Sequence, residues 1–194
     1  HNRCRRQRQM CIRDSSGTVK KVSMELGGHA PFIVFNDANI DDAVAGAIQS
    51  KFRNTGQTCV CANRIYVQEK VHDEFCSKFV DAVSKIKVGD GLNEENASGP
   101  MIDEHSLSKV EEHVQDALQY GAKVALGGSK HSLGMNFYQP TILTEVAPEA
   151  KITTEETFGP VAPIYKFKDE KEVIKLANNS PYGLASYFYS RDIG

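Results

Sequence analysis

The chain has 194 residues, 40% hydrophobic and 25% charged, with a formal net charge of −2. That balance excludes disordered, collagen-like and coiled-coil chains, and the length is enough to bury one sizeable core. No apolar run approaches the roughly 20 residues of a membrane helix.

The charge is unevenly spread. Residues 1–14 hold five of the eight arginines and one acid, Asp14, for a net of +4. The remainder carries 18 basic and 24 acidic residues, a net of −6. An Arg-rich, acid-poor arm fits nucleic-acid binding or a transit peptide. It lacks the aromatics or following motif of nucleic-acid readout, and the apolar stretch of a signal peptide. An acidic body repels phosphates, so neither a nucleic-acid nor a membrane partner is expected.

From residue 20 strand-like and helix-like segments alternate. Lys21–Leu26 alternates polar and apolar residues before Gly27 and Gly28, which predicts a strand ending in a turn. Pro31–Phe35 predicts a buried strand. Asp37 and Asn39 offer caps to a helix with the face Ile40, Val44, Ala47, Ile48 and Phe52, and Gly56 is placed to end it. A polar stretch, Asn54 to Asn63, leads into a strand over Arg64–Val67. Apolar periodicity predicts helices over about 71–86 and 104–120, the second ended by Gly121. Strands near 122–126, 139–144 and 161–166, a short helix near 169–177 and a strand near 184–189 complete the chain. The rhythm predicts an α/β fold, an open sheet with helices on its faces.

Five cysteines are an odd number, and Cys4 and Cys11 lie in or beside the basic arm. Cys59, Cys61 and Cys76 form no disulfide framework, which points to a reducing compartment. A Cys-x-Cys pair without a nearby histidine is a weak zinc signal, and no metal site is expected. Gly56-Gln-Thr-Cys-Val-Cys61 is the first candidate site, because a cysteine in a polar loop beside a helix end can be ionised and exposed. An ordinary buried cysteine is the plainer alternative. Glu25, in Met24-Glu-Leu-Gly-Gly28, is a carboxylate that two glycines can present to a cleft; a solvated edge residue is its alternative. Glu155-Glu-Thr-Phe-Gly-Pro160 offers an acid pair before an aromatic and a rigid break, or simply a charged surface turn.

Taken together, Met-Glu-Leu-Gly-Gly (24–28), Gly-Gln-Thr-Cys (56–59) and Glu-Glu-Thr-Phe-Gly-Pro (155–160) resemble the three signature segments of the NAD(P)-dependent aldehyde dehydrogenase superfamily, in the same order and spacing. The resemblance covers about residues 18–194. Ser50–Arg64 and Ala185–Tyr189 look most like succinate-semialdehyde dehydrogenases. It implies an internal stretch of a longer enzyme, with residues 1–17 a basic leader foreign to it. Residues 18–28 would be the end of the cofactor-binding domain and 29–194 an incomplete catalytic domain. The implied setting is cytoplasmic or the mitochondrial matrix, and the full-length enzyme would be a homo-oligomer.

Carried over residue by residue, the resemblance makes Cys59 the nucleophile and Glu25 the general base that releases the acid. Glu156 would bind the nicotinamide ribose, Phe158 would flank the nicotinamide, and the Leu26 carbonyl would meet the carboxamide of NAD or NADP. Arg53, six residues before Cys59, would hold the far carboxylate of a small-molecule aldehyde by paired charge-assisted hydrogen bonds; a surface arginine is the alternative. Cys61 is either a redox partner able to close a strained disulfide with Cys59 or a structural neighbour. Succinate semialdehyde is the expected substrate. Glutarate semialdehyde, a broad aliphatic range and a non-catalytic protein on the same fold are the alternatives.

Overall fold

The computed structural model describes residues 10–192. Residues 1–9, most of the basic arm, lie outside the described residues; residues 10–16 are helical and almost wholly exposed.

The sheet begins with strand β1 (Ala30–Val34), whose run Ala-Pro-Phe-Ile-Val is buried along nearly its whole length. Pro31 has no N–H for a ladder, and the register of β1 shifts between Ala30 and Pro31, where that missing donor is tolerated. Helix α1 (Ile40–Phe52) follows, its first turn capped by the Asn39 side chain, which accepts from the Asp41 N–H at 3.1 Å. Strand β2 (Ala62–Gln68) and helix α2 (Glu69–Ser84) come next. Helix α3 (Glu104–Gln119) starts at Asp103, which accepts from the Ser106 N–H at 2.7 Å, and gives way to Gly121 at φ 92°. Strands β3 (Lys123–Leu126) and β4 (Thr141–Thr144), the single-turn helix α4 (Lys151–Thr154), strand β5 (Val161–Phe167), helix α5 (Glu170–Asn178) and strand β6 (Tyr187–Tyr189) complete the order.

The six strands lie in the order β3-β4-β5-β2-β1-β6, parallel except for the antiparallel β3–β4 pair. Alternate residues of each strand face opposite ways, so one sheet serves two cores. Phe32, Val34, Ile65, Val67, Ile142 and Ile164 face α1 and α2, meeting Val44, Phe75 and Phe79. Leu143 and Val161 face α3 with its Val110 and Val114, while Tyr66 and Phe167 face Val173 of α5. This is the expected open α/β sheet with helices on both faces. No helix among the described residues is long and apolar enough to cross a membrane.

Four local expectations change. Lys21–Leu26 is not a strand: it pairs with no other strand of the described residues and residues 21–25 are exposed, so the alternation has nothing to pack against. Asp37 caps no helix; its carboxylate accepts instead from the backbone N–H groups of Arg191 and Asp192 and from the Ser190 hydroxyl. Gly56 does not end α1, which stops at Phe52; a 3-10 turn over Arg53–Gly56 intervenes. The last strand is only three residues long, and the four residues of α4 are too few to carry a periodicity in the sequence.

Candidate active site

The segment that carries Cys59 starts with an unusual backbone. Asn54, Thr55 and Gly56 take φ values of 52°, 59° and 71°, three successive left-handed residues. L-residues with side chains avoid that region at roughly 1–2 kcal/mol each, so the surroundings must enforce it. The buried Thr55 hydroxyl donates to the Gly99 carbonyl at 3.2 Å and accepts the Gly99 N–H at 3.0 Å. The Asn54 side chain donates to the Gln57 carbonyl at 3.0 Å, and Gln57 reaches Pro100 and Ile102. The turn therefore delivers Cys59 half-buried just before β2.

Two glycines let the three motifs meet. A Cβ on Gly28 would sit 1.7 Å from the Cys59 carbonyl oxygen, and one on Gly56 would sit 2.2 Å from that of Gly159. Bare backbone is required at both contacts. The Gly28 N–H donates to Glu156 Oε1 at 3.0 Å, tying the first motif to the third. Burial raises the Glu156 carboxyl above the usual carboxylate range, offset by that N–H and by the Lys109 and Lys51 ammonium groups. Lys109 on α3 donates to the Glu156 carbonyl at 2.6 Å. One turn further along α3, His113 pairs its Nδ1 with the Thr157 hydroxyl at 3.1 Å, and burial lowers its pKa. Phe158, left-handed at φ 53°, stands 37% exposed beside them.

Two residues past Cys59, Cys61 is fully buried and its thiol donates to the Lys51 carbonyl at 3.3 Å. Lys51 is itself 0% exposed; its ammonium donates to Asn63 Oδ1 at 2.7 Å, and burial lowers its pKa. Glu25 is exposed, three residues before Gly28, and among the described residues its carboxylate has no hydrogen-bond or ion-pair partner. Leu26 is half-buried and Arg53 is exposed at the head of the 3-10 turn. The structure thus joins Cys59, Gly28 and Glu156 in one contact set, with Glu25 and Leu26 on the strand-free approach to it.

Sequence reasoning missed Lys51, Lys109, His113 and Tyr187. Lys51 and His113 had a legible signal, a polar residue inside the apolar stripe of a helix. The Tyr187 hydroxyl, which donates to the Val60 carbonyl at 2.8 Å, had none.

The family model described as "Aldehyde dehydrogenase family" matches residues 7–194. The NADP(+)-dependent succinate-semialdehyde dehydrogenase of Escherichia coli strain K12 is 57% identical over 185 residues, 95% of this chain and 38% of that protein. A glutarate-semialdehyde dehydrogenase of Pseudomonas aeruginosa is 56% identical over 175 residues, 90% of this chain and 36% of that protein. A crystal structure of an E. coli NADP-dependent enzyme superposes with a TM-score of 0.91 at 56% identity, covering 95% of this chain and 38% of that one. The chain spans well under half the length of the relatives it matches.

Proposed function

The chain belongs to the aldehyde dehydrogenase family, and on that premise we propose that it carries the thiol half of an active site oxidising succinate semialdehyde to succinate with NAD(P)+. The observation that carries the reading is the single contact set of Gly28, Cys59 and Glu156. Residues 18–28 then end a cofactor-binding region, and residues 29–194, where the sheet begins, form the catalytic one.

The residues present fit a dinucleotide. Glu156 spends Oε1 on the Gly28 N–H, while Oε2 has no hydrogen-bond partner among the described residues and remains an acceptor for ribose hydroxyls. Phe158 is exposed and so available to the nicotinamide, and the half-buried Leu26, two residues before Gly28, would offer its carbonyl to the carboxamide. When bound, NAD(P)+ supplies the hydride acceptor. The protein's own groups do the rest. The Cys59 thiolate adds to the aldehyde carbon, and its backbone N–H donates to the oxyanion of the thiohemiacetal. Loss of hydride leaves a thioester on Cys59. Glu25, exposed and unpaired, takes a proton from the water that cleaves the thioester, releasing the acid and regenerating the Cys59 thiolate.

Arg53 selects the substrate by holding a carboxylate at its far end. In the full-length polypeptide that carries this chain, Arg53→Met raises KM at least tenfold for succinate semialdehyde and leaves propanal unchanged. An equal effect on both aldehydes overturns the carboxylate role. Preference for glutarate semialdehyde over succinate semialdehyde in the parent would favour the second reading, which the P. aeruginosa relative supports. Residues 1–194 alone form no NAD(P)H from either aldehyde, and detectable formation would refute that.

A further inference from the structure

Tyr187 sits in the short strand β6, paired in parallel with β1 so that it stands opposite Phe32. Its ring lies 6.1 Å from the fully buried Phe32 ring. That hydroxyl donates to the carbonyl of Val60, the residue between Cys59 and Cys61, at 2.8 Å across 127 residues of chain. Other bonds in the region are local or reach Gln57: Cys61 N–H to Thr58, the Cys61 thiol to Lys51, and Gln57 to the 100–102 segment. Among the hydrogen bonds of the described residues, Tyr187 is the one side chain from a distant element that grips the Thr58–Cys61 turn.

We propose that Tyr187 is a positioning residue for the nucleophile: by holding the Val60 carbonyl it sets the 59–61 backbone, and with it the direction of the Cys59 thiol and N–H. The proposal rests on Cys59 being the nucleophile. Burial, reinforced by the nearby cysteines and opposed by Arg53, raises the phenol pKa, so the hydroxyl stays a donor across the neutral range. Arg53, Cys59 and Cys61 all lie near enough to act electrostatically on the Tyr187 hydroxyl. Without this donor the Val60 carbonyl would turn to water, and the turn would sample orientations that do not present the thiol to a bound aldehyde.

The test compares Tyr187→Phe with Tyr189→Phe in the full-length polypeptide. Tyr189 is two residues away on the same strand and packs its hydroxyl on Gly46 of α1 instead. Tyr187→Phe is expected to lower kcat about tenfold, equivalent to about 1.4 kcal/mol, with KM for the aldehyde changed less than twofold. Tyr189→Phe should keep the parent kcat. A second measurement keeps folding apart from positioning: rates of iodoacetamide alkylation at each cysteine, read by peptide mass spectrometry. Positioning alters the rate at Cys59 and leaves the buried Cys61 and the half-buried Cys76 as in the parent. A uniform rise at all three, or an unchanged kcat, overturns the proposal. Alkylation of Cys59 that leaves the parent active would instead overturn the nucleophile assignment.

Discussion

The two segments proposed to supply the thiol and the carboxylate are built in opposite ways. Arg53–Cys61 is bound from every side: Thr55 to Gly99, Gln57 to the 100–102 loop, Cys61 to Lys51 and Val60 to Tyr187. Lys21–Leu26, which carries Glu25, pairs with no strand of the described residues and is largely exposed. The contrast follows the chemistry assigned to each. A nucleophile must meet the carbonyl along one trajectory, and a misplacement of about 1 Å can cost about a hundredfold. A base acting through water needs reach and an available lone pair, which an unpartnered carboxylate keeps.

Gly28, two residues past Leu26, meets the Cys59 carbonyl, and there the contrast can be broken most severely. In Gly28→Ala the new methyl would lie 1.7 Å from the Cys59 carbonyl, a backbone atom with no rotamer to escape into. We expect a stability loss of about 3 kcal/mol in urea unfolding and at least a hundredfold loss of turnover. Gly17→Ala is the control, since nothing lies within 4 Å of its added carbon, and should shift stability by less than about 0.5 kcal/mol. Equal tolerance of both changes would mean the motifs do not meet as described.

Glu25→Gln sharpens the contrast from the other side. Because the side chain is exposed and unpaired, unfolding should move by less than about 0.5 kcal/mol. Turnover should fall about a hundredfold, the low end for a positioned base. In stopped flow the full-length variant should still give a burst of NAD(P)H equal to the enzyme concentration, followed by a slow steady state, because only thioester cleavage is impaired. A vanished burst would move Glu25 to the hydride-forming step.

The same contrast explains what could be read from the chain unaided. The faces of α2 and α3 follow directly from Phe75, Phe79, Val83 and from Leu107, Val110, Val114, since tertiary packing there agrees with local periodicity. The apolar alternation of Lys21–Leu26 looked like any strand, because pairing depends on a neighbour that local pattern does not report. The left-handed run at Asn54 and Thr55 was invisible for a related reason: contacts with residues 99–102 enforce it against local preference. Cys59, Glu25 and Glu156 stood out only jointly, through resemblance. The meeting of Cys59 with Glu156 depends on Gly28, and the Glu156 carbonyl is held by Lys109, 47 residues away.

Within the tightly held segment, the two thiols are themselves unlike, and this permits the subtlest test. Cys59 is half-buried, whereas Cys61 is fully buried with its thiol committed to the Lys51 carbonyl. We propose that peroxide removes two electrons from the Cys59 thiolate, giving a sulfenic acid and hydroxide. The Cys61 sulfur, released from Lys51, then displaces the sulfenic oxygen as water and forms the disulfide, and a dithiol reverses it. A Cys-x-Cys ring is strained, so reduction should be easy. Because Cys61 must first leave a buried hydrogen bond, closure should be slower than oxidation of Cys59 itself. The Cys61→Ala variant should therefore lose the peroxide inactivation that dithiothreitol reverses, while Cys76→Ala behaves as the parent. If Cys61→Ala is inactivated and rescued like the parent, Cys61 is a packing residue beneath the nucleophile, and the burial that distinguishes it from Cys59 serves the fold alone.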